Sequence, residues 1–106
     1  MKMPKLITVI PCYNEEAVLQ ETLNRLCKLY EDMESEGMIT PSSKLLFVDD
    51  GSVDQTWPMI IAFHQQCGCA CGMKLAHNAG HQNALWAGLS VAVEDADVMV
   101  TCGPAR

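Results

Sequence analysis

Positive charge is scarce in this chain. Lysine and arginine number 7 against 13 acidic residues, for a formal net charge of −6. General nucleic-acid binding draws on clustered cations, so a nucleic-acid partner is not expected. Long apolar runs are missing too, and none reaches the length of a bilayer-spanning helix. The start, Met1-Lys2-Met3-Pro4-Lys5, is basic, but the apolar run after it is too short for a signal peptide and meets a turn at Pro11. A cytoplasmic protein is expected. At 106 residues there is room for a single domain over 1–106 and for no second core. Disorder is not expected either, because 49% of the residues are apolar.

Cysteine, by contrast, is plentiful, with 6 residues. Without an export signal these are expected to be free thiols. Cys67, Cys69 and Cys71 form a C-x-C-x-C run with His64 nearby. Zinc sites usually pair ligands at wider spacing and need a second pair elsewhere. Adjacent members of the run are expected to diverge. The run is therefore taken as a small-residue loop with oxidisable thiols, and no metal ligand is assigned anywhere in the chain.

The hydrophobic pattern alternates β-α-β-α-β-α-β. Strands are expected at Leu6–Ile10, Leu45–Val48, Met73–Leu75 and Val98–Thr101. The first helix is expected to start with Asn14 as cap and Glu15 and Glu16 in its first turn. Its inner face is Val18, Leu19, Leu23, Leu26 and Tyr30, and it frays or stops in the polar stretch from Glu31 to Gly37. A second helix is expected near Asp54, with Pro58 in its first turn. A third runs from Asn83 to about Val93 and is rich in small residues. Gly88 in mid-helix costs about 1 kcal/mol relative to alanine, which close packing or ligand access would offset. Alternation of this kind predicts an α/β fold, a Rossmann-like three-layer α/β/α domain with a mainly parallel sheet and right-handed crossovers.

Two strand ends carry the chemistry. Leu6–Ile10 runs into Pro11-Cys12-Tyr13-Asn14-Glu15-Glu16, and Lys44–Val48 runs into Asp49-Asp50-Gly51-Ser52-Val53-Asp54. Open α/β sheets bind ligands at the carboxyl ends of their strands. Carboxylates beside a flat ring suit the donor edge of a nucleobase and the hydroxyls of a ribose. Asp54 and Asn14 also serve as helix caps, and Trp57 and Trp86 suit packing better than base stacking. His81 and Gln82 suit the loop's own backbone groups.

Three blocks together resemble the nucleotide-binding part of a family 2 glycosyltransferase of the inverting GT-A group. They are Val9-Ile10-Pro11-Cys12-Tyr13-Asn14-Glu15-Glu16, Phe47-Val48-Asp49-Asp50-Gly51-Ser52-Val53-Asp54, and Asn78-Ala79-Gly80-His81-Gln82-Asn83-Ala84-Leu85-Trp86-Ala87-Gly88-Leu89. The third is similar to members that glycosylate polyprenyl phosphates. The resemblance implies strand order 3-2-1-4 and a UDP- or GDP-linked sugar donor. It also implies roles for particular residues. Pro11 and Tyr13 would shape the base pocket, while Glu15 and Asp50 would bind base or ribose. Gly51 would let the chain turn away, and Gly80 would let backbone approach the donor. His77 stands where the family often has arginine or lysine, a weaker cation for a diphosphate near pH 7.

The family continues its fourth strand into an Asp-x-Asp motif that holds Mg²⁺ or Mn²⁺ against the donor diphosphate. Here that strand runs into Cys102-Gly103-Pro104-Ala105-Arg106. Asp95-Ala96-Asp97 has the right letters but precedes the strand, and is taken as a solvated turn. No catalytic residue and no cofactor held by this chain are expected. The acceptor-binding half is expected to be missing, and the chain is expected to be a truncated, inactive piece of an enzyme. The intact type transfers sugar with inversion, with a lipid phosphate as acceptor at the cytoplasmic membrane face. The rival readings are a non-catalytic nucleotide-binding module and a folded remnant that only self-associates. An open fourth-strand edge predicts a homodimer through it.

Overall fold

A computed structural model of the protein describes residues 3–102. Gly103 to Arg106, where the acidic motif was sought, lie outside the described residues, as do Met1 and Lys2 of the basic start. The elements are β1 (Leu6–Cys12), α1 (Leu19–Ser35), β2 (Lys44–Asp49), α2 (Thr56–Gln66), β3 (Ala70–Lys74), α3 (His81–Ala92) and β4 (Val98–Thr101). The sheet order is β3-β2-β1-β4, and all three pairings are parallel.

The central strands are apolar on both faces because both faces are covered. Leu6, Ile10 and Cys12 of β1 and Leu45 and Phe47 of β2 meet Leu19, Leu23 and Tyr30 of α1 and Ile60 and Phe63 of α2. Their neighbours Ile7, Val9, Leu46 and Val48 face α3 through Ala84 and Ala92. Each alternation follows from the two-residue period of a strand. The Phe47 and Phe63 rings meet edge-on at 5.3 Å, and burying each such side chain stabilises the fold by about 1.5–3 kcal/mol. Tyr30 adds a polar tie. Its buried hydroxyl donates to the Lys44 carbonyl at 2.9 Å and pairs with the Thr8 hydroxyl at 2.7 Å. Burial pushes its pKa up to about 12.

Gly88 is a packing residue. A Cβ there would lie 2.5 Å from Val9 Cγ1 and 2.8 Å from Val48 Cγ2. Only a glycine lets α3 approach the sheet this closely, and this contact offsets its low helix propensity. Strand β1 passes through Pro11 at no loss of a ladder bond. The Val9 carbonyl accepts from Cys102 on the β4 side. Pro11 faces the same side two residues on, beyond the last β1–β4 pair, Val9 with Thr101.

Several boundaries differ from expectation. Helix α1 begins at Leu19, with Val18 at its N-cap and no side-chain cap, so Asn14 does not cap it. Instead Asn14 adopts φ +50°, and Glu15 closes a turn by accepting the Val18 and Leu19 N–H groups. Val18 consequently sits outside the core. The polar stretch does end α1, at Ser35, before Gly37 at φ +73°. Strand β3 starts earlier than expected, and α3 begins with His81 behind Gly80. Trp57 packs partly against the core beneath Lys74, whose Nζ lies 5.7 Å from the ring centroid. Trp86 does not pack as expected and is 71% exposed, because α3 turns Ala84, Gly88 and Ala92 inward and Trp86 away from them.

The cysteine run also behaves differently. Cys67 and Cys69 converge, with sulfurs 3.1 Å apart, because the chain turns through Gly68 and Cys69 before entering β3. Residues two apart share a face of an extended chain in any case. Cys71 packs with the α3-side cluster, away from Cys67 and Cys69 on the α1 side. His64 is engaged through Nδ1 with the Ala70 carbonyl at 2.9 Å. All six cysteines are free thiols.

Candidate functional site

At the carboxyl ends of β1 and β2 the two loops are stitched to one another. The Asn14 N–H donates to Ser52 Oγ at 2.9 Å, and the Val53 N–H donates back to Asn14 Oδ1 at 2.9 Å. Next along, the Glu15 N–H donates to Thr56 Oγ1 at 2.9 Å. The Gln55 N–H donates to Glu16 Oε2 at 3.2 Å, and the Glu16 N–H to Asp54 Oδ2 at 3.3 Å. Asn14, Glu16, Ser52 and Asp54 thus satisfy the backbone of the other loop, and two exposed segments are held as one unit. Asp54 has a double role. Its Oδ1 accepts the Thr56 N–H at 2.9 Å, but the N-cap of α2 is Gln55, with no side-chain cap bond, so Asp54 stands one residue ahead of the cap position expected for it.

Asp54 makes the stitching pH-sensitive. Burial pushes its carboxyl slightly upward, but hydrogen bonds from Thr56 and the Glu16 N–H outweigh this and hold it below the ordinary aspartate value. A depressed folded-state pKa contributes stability that is present above the unfolded value and is lost as pH falls through the folded one. Acid unfolding of Asp54→Ala is therefore expected to be shallower than that of the parent chain, the two curves converging at the acid end. Urea midpoints measured at steps from pH 6 to pH 2 would read this. Parallel curves would mean that Asp54 is not among the groups that titrate.

Asp50 joins the third block to the second. It is 3% exposed. Its Oδ1 accepts the Ala79 N–H at 2.7 Å and its Oδ2 the Gly80 N–H at 3.1 Å, while Asn78 Nδ2 donates to its carbonyl at 3.2 Å. The carboxylate clamps the loop that leads into α3. Gly51 allows the same approach. At φ +75°, a Cβ there would lie 2.6 Å from the Asn78 nitrogen.

Between these loops lies a pocket of about 220 Å³ lined by Pro11, Cys12, Tyr13, Glu15, Asp50, Asn78, Gly80 and His81. Of the sequence-derived candidates, Pro11, Tyr13, Glu15, Asp50 and Gly80 come together here. Gly51 sits behind the wall, against the His77 and Asn78 backbone. His77 is exposed and does not line the pocket. Tyr13, 40% exposed, stands at its mouth, and Gly80 (φ +94°) has open space where a Cβ would be. The reading of the sequence did not assign Cys12, Asn78 or His81. Asn78 and His81 belong to the third block, but only the Asp50 clamp reveals that its loop folds over the first two. Cys12 is neutral, its pKa pushed up to about 12 by burial, with Glu15 and Asp49 adding to the effect.

The pocket's carboxylates, Glu15 and Asp50, sit on the β1 and β2 loops, not beyond β4. Asp97 Oδ2 accepts the Lys5 N–H at 2.8 Å and Asp95 pairs with Lys5 Nζ at 2.5 Å, at the amino end of the sheet. Past β4, Cys102 is the last described residue and brings no hard oxygen ligand. The place of the family's acidic motif, past Cys102, lies outside the described residues.

Known proteins resemble this chain along nearly its whole length. An uncharacterized glycosyltransferase of Bacillus subtilis, YkoT, is 45% identical over 98 residues, covering 92% of this chain and 29% of the relative. The undecaprenyl-phosphate 4-deoxy-4-formamido-L-arabinose transferase of Proteus mirabilis is 34% identical over 101 residues, covering 94% of this chain and 28% of that protein. The chain thus spans under a third of the length of these curated relatives. Among solved structures, S. aureus TarS 1-349 in complex with UDP matches with a TM-score of 0.74 at 22% identity, over 93% of this chain and 27% of that one. At that identity the likeness is one of fold, and the fold is the Rossmann-like GT-A arrangement. The family model described as Glycosyl transferase family 2 matches residues 7–102. That match takes in all three motif blocks and the loops that Asp50 and Asn14 bind together, and the chain belongs to glycosyl transferase family 2.

Proposed function

We propose that the pocket binds the nucleoside part of a UDP- or GDP-linked sugar. The observation that carries this reading is the meeting of Tyr13, Glu15 and Asp50 around one cavity at the carboxyl ends of adjacent parallel strands. Each Asp50 oxygen accepts one backbone N–H and keeps lone-pair capacity for an imide or amide N–H of a base. Tyr13 at the mouth offers a ring for the base to lie on. The amino end of α3, at Gly80 and His81, borders the same cavity, and helix amino ends favour anions such as a diphosphate.

In proteins of the relatives' length, the reaction is transfer of the sugar with inversion to an acceptor. The undecaprenyl-phosphate transferases among the relatives support a polyprenyl phosphate in that role, presented at the cytoplasmic membrane face. The chain alone binds nucleotide weakly and transfers nothing, because no described side chain beside the pocket has an evident claim to be the acceptor's general base. The β4 edge is open, with Val98, Met99 and Val100 exposed, which supports self-association of the chain through that edge.

Calorimetric titration with UDP, GDP and their sugar conjugates, with and without Mn²⁺, tests the reading. One nucleotide is expected to bind without metal, and Tyr13→Ala to weaken it on the order of tenfold, the value of one base–aromatic stack. No heat at millimolar nucleotide would refute the assignment.

A further inference from the structure

A second group of reactive side chains lies far from the pocket. Cys27, Cys67 and Cys69 place their three sulfurs within 4.8 Å of one another. We propose that they form a thiolate site for a soft divalent cation, with Zn²⁺ as its reference ligand.

The three ligands come from two parts of the fold. Cys27 lies on α1, while Cys67 and Cys69 flank the turn between α2 and β3. Backbone bonds hold the turn in place. The Cys67 N–H donates to the Phe63 carbonyl at 2.8 Å, the Ala70 N–H to the Cys67 carbonyl at 3.0 Å, and the Leu45 N–H to the Cys69 carbonyl at 2.9 Å. The turn is thus fixed to α2 at one end and to β2 at the other.

Tetrahedral zinc holds its sulfurs at about 2.3 Å from the ion, which sets them roughly 3.8 Å apart. The Cys67 and Cys69 sulfurs, at 3.1 Å, must open slightly, and the remaining separations, all within 4.8 Å, must close by an ångström at most. Side-chain rotation suffices for both. All three cysteines are half-buried, and they line a groove of about 620 Å³ that also holds Glu31 and Glu34. The groove gives an ion access and leaves its fourth position to water. The carboxylates add negative charge beside it, and thiolates select zinc over hard cations. Bound there, the ion ties α1 to the α2–β3 turn at the amino end of β3, whereas the nucleotide pocket lies at the carboxyl ends of the strands.

Titrating the fully reduced chain with Co²⁺ and then Zn²⁺ is the test. One equivalent of Co²⁺ is expected to give thiolate-to-cobalt charge-transfer absorption that Zn²⁺ abolishes. Cys27→Ser, Cys67→Ser and Cys69→Ser are each expected to weaken binding by at least about tenfold, and Cys71→Ser to leave it unchanged. Circular dichroism checks that each variant is folded. Should one fail to fold, alkylation mapping of the parent chain replaces it, with Zn²⁺ expected to protect Cys27, Cys67 and Cys69 and to leave Cys71 unaffected. Absence of the cobalt band, binding that survives the Cys67 and Cys69 variants, or equal alkylation with and without Zn²⁺ would each overturn the proposal.

Discussion

Gly51→Ala is expected to lower stability by about 3 kcal/mol. Two separable effects add. A side chain at φ +75° enters the left-handed region at roughly 1–2 kcal/mol. The new Cβ would also lie 2.6 Å from the Asn78 nitrogen and 3.0 Å from the His77 carbonyl carbon. These are backbone atoms that cannot rotate away, and overpacking of this kind costs about 1–3 kcal/mol. Relief requires the loop from His77 to Gly80 to lift off the second block, which pulls its two N–H groups away from Asp50. Gly80→Ala is the control. Its φ is +94°, but no atom lies within 4 Å of the new Cβ, so only the conformational part is lost. Urea unfolding of both variants should therefore show Gly51→Ala as clearly the weaker. Equal losses would mean that the loop yields freely and that the close approach at Gly51 has no energetic weight.

Asp50→Ala should destabilise the chain on the order of 3 kcal/mol and free the loop into α3. Hydrogen bonds to a charged group are each worth about 1.5–3 kcal/mol, and Asp50, itself buried, accepts two from backbone N–H groups. Removing it leaves those N–H groups without their acceptor. Asp50→Asn keeps one oxygen but turns an NH₂ group toward the other N–H, and is expected to fall between the two. Amide hydrogen exchange gives the sharper readout. Protection of Ala79 and Gly80 should drop much further than that of the β1 and β2 core. A uniform drop would reassign Asp50 to global stability and away from the clamp. Loss of nucleotide binding in Asp50→Ala would report a collapsed loop as much as a missing base contact. For that reason Tyr13, exposed at the mouth, is the cleaner probe of the pocket.

The motif blocks were legible because each couples a strand end to turn chemistry. Val48-Asp49-Asp50-Gly51 announces a buried strand, acceptors and a left-handed residue in four letters, and the structure has all three. How those letters divide their work was not legible. Asn14 was taken for a helix cap because its neighbours Glu15 and Glu16 suit a first helical turn. In the folded chain its side chain is used by Val53, a residue 39 positions away. Local rules rank local partners, and a loop from another strand enters the ranking only once the sheet brings it there. The same limit applies to Cys27, which lies far from Cys67 and Cys69 in sequence but beside them in space.

Alternation of apolar strands and helical segments, with glycines and acids at strand ends, determined the α/β class, the parallel sheet and the end of the sheet where polar groups gather. These are consequences of periods of two and 3.6 residues and of turn geometry, which the chain carries locally. Tertiary structure alone decided which polar groups face the pocket and which stitch loops, that His77 lies outside the pocket, and that Gly88 is a contact surface for Val9 and Val48. Those outcomes depend on hydrogen-bond partners and van der Waals contacts between segments that only folding makes neighbours.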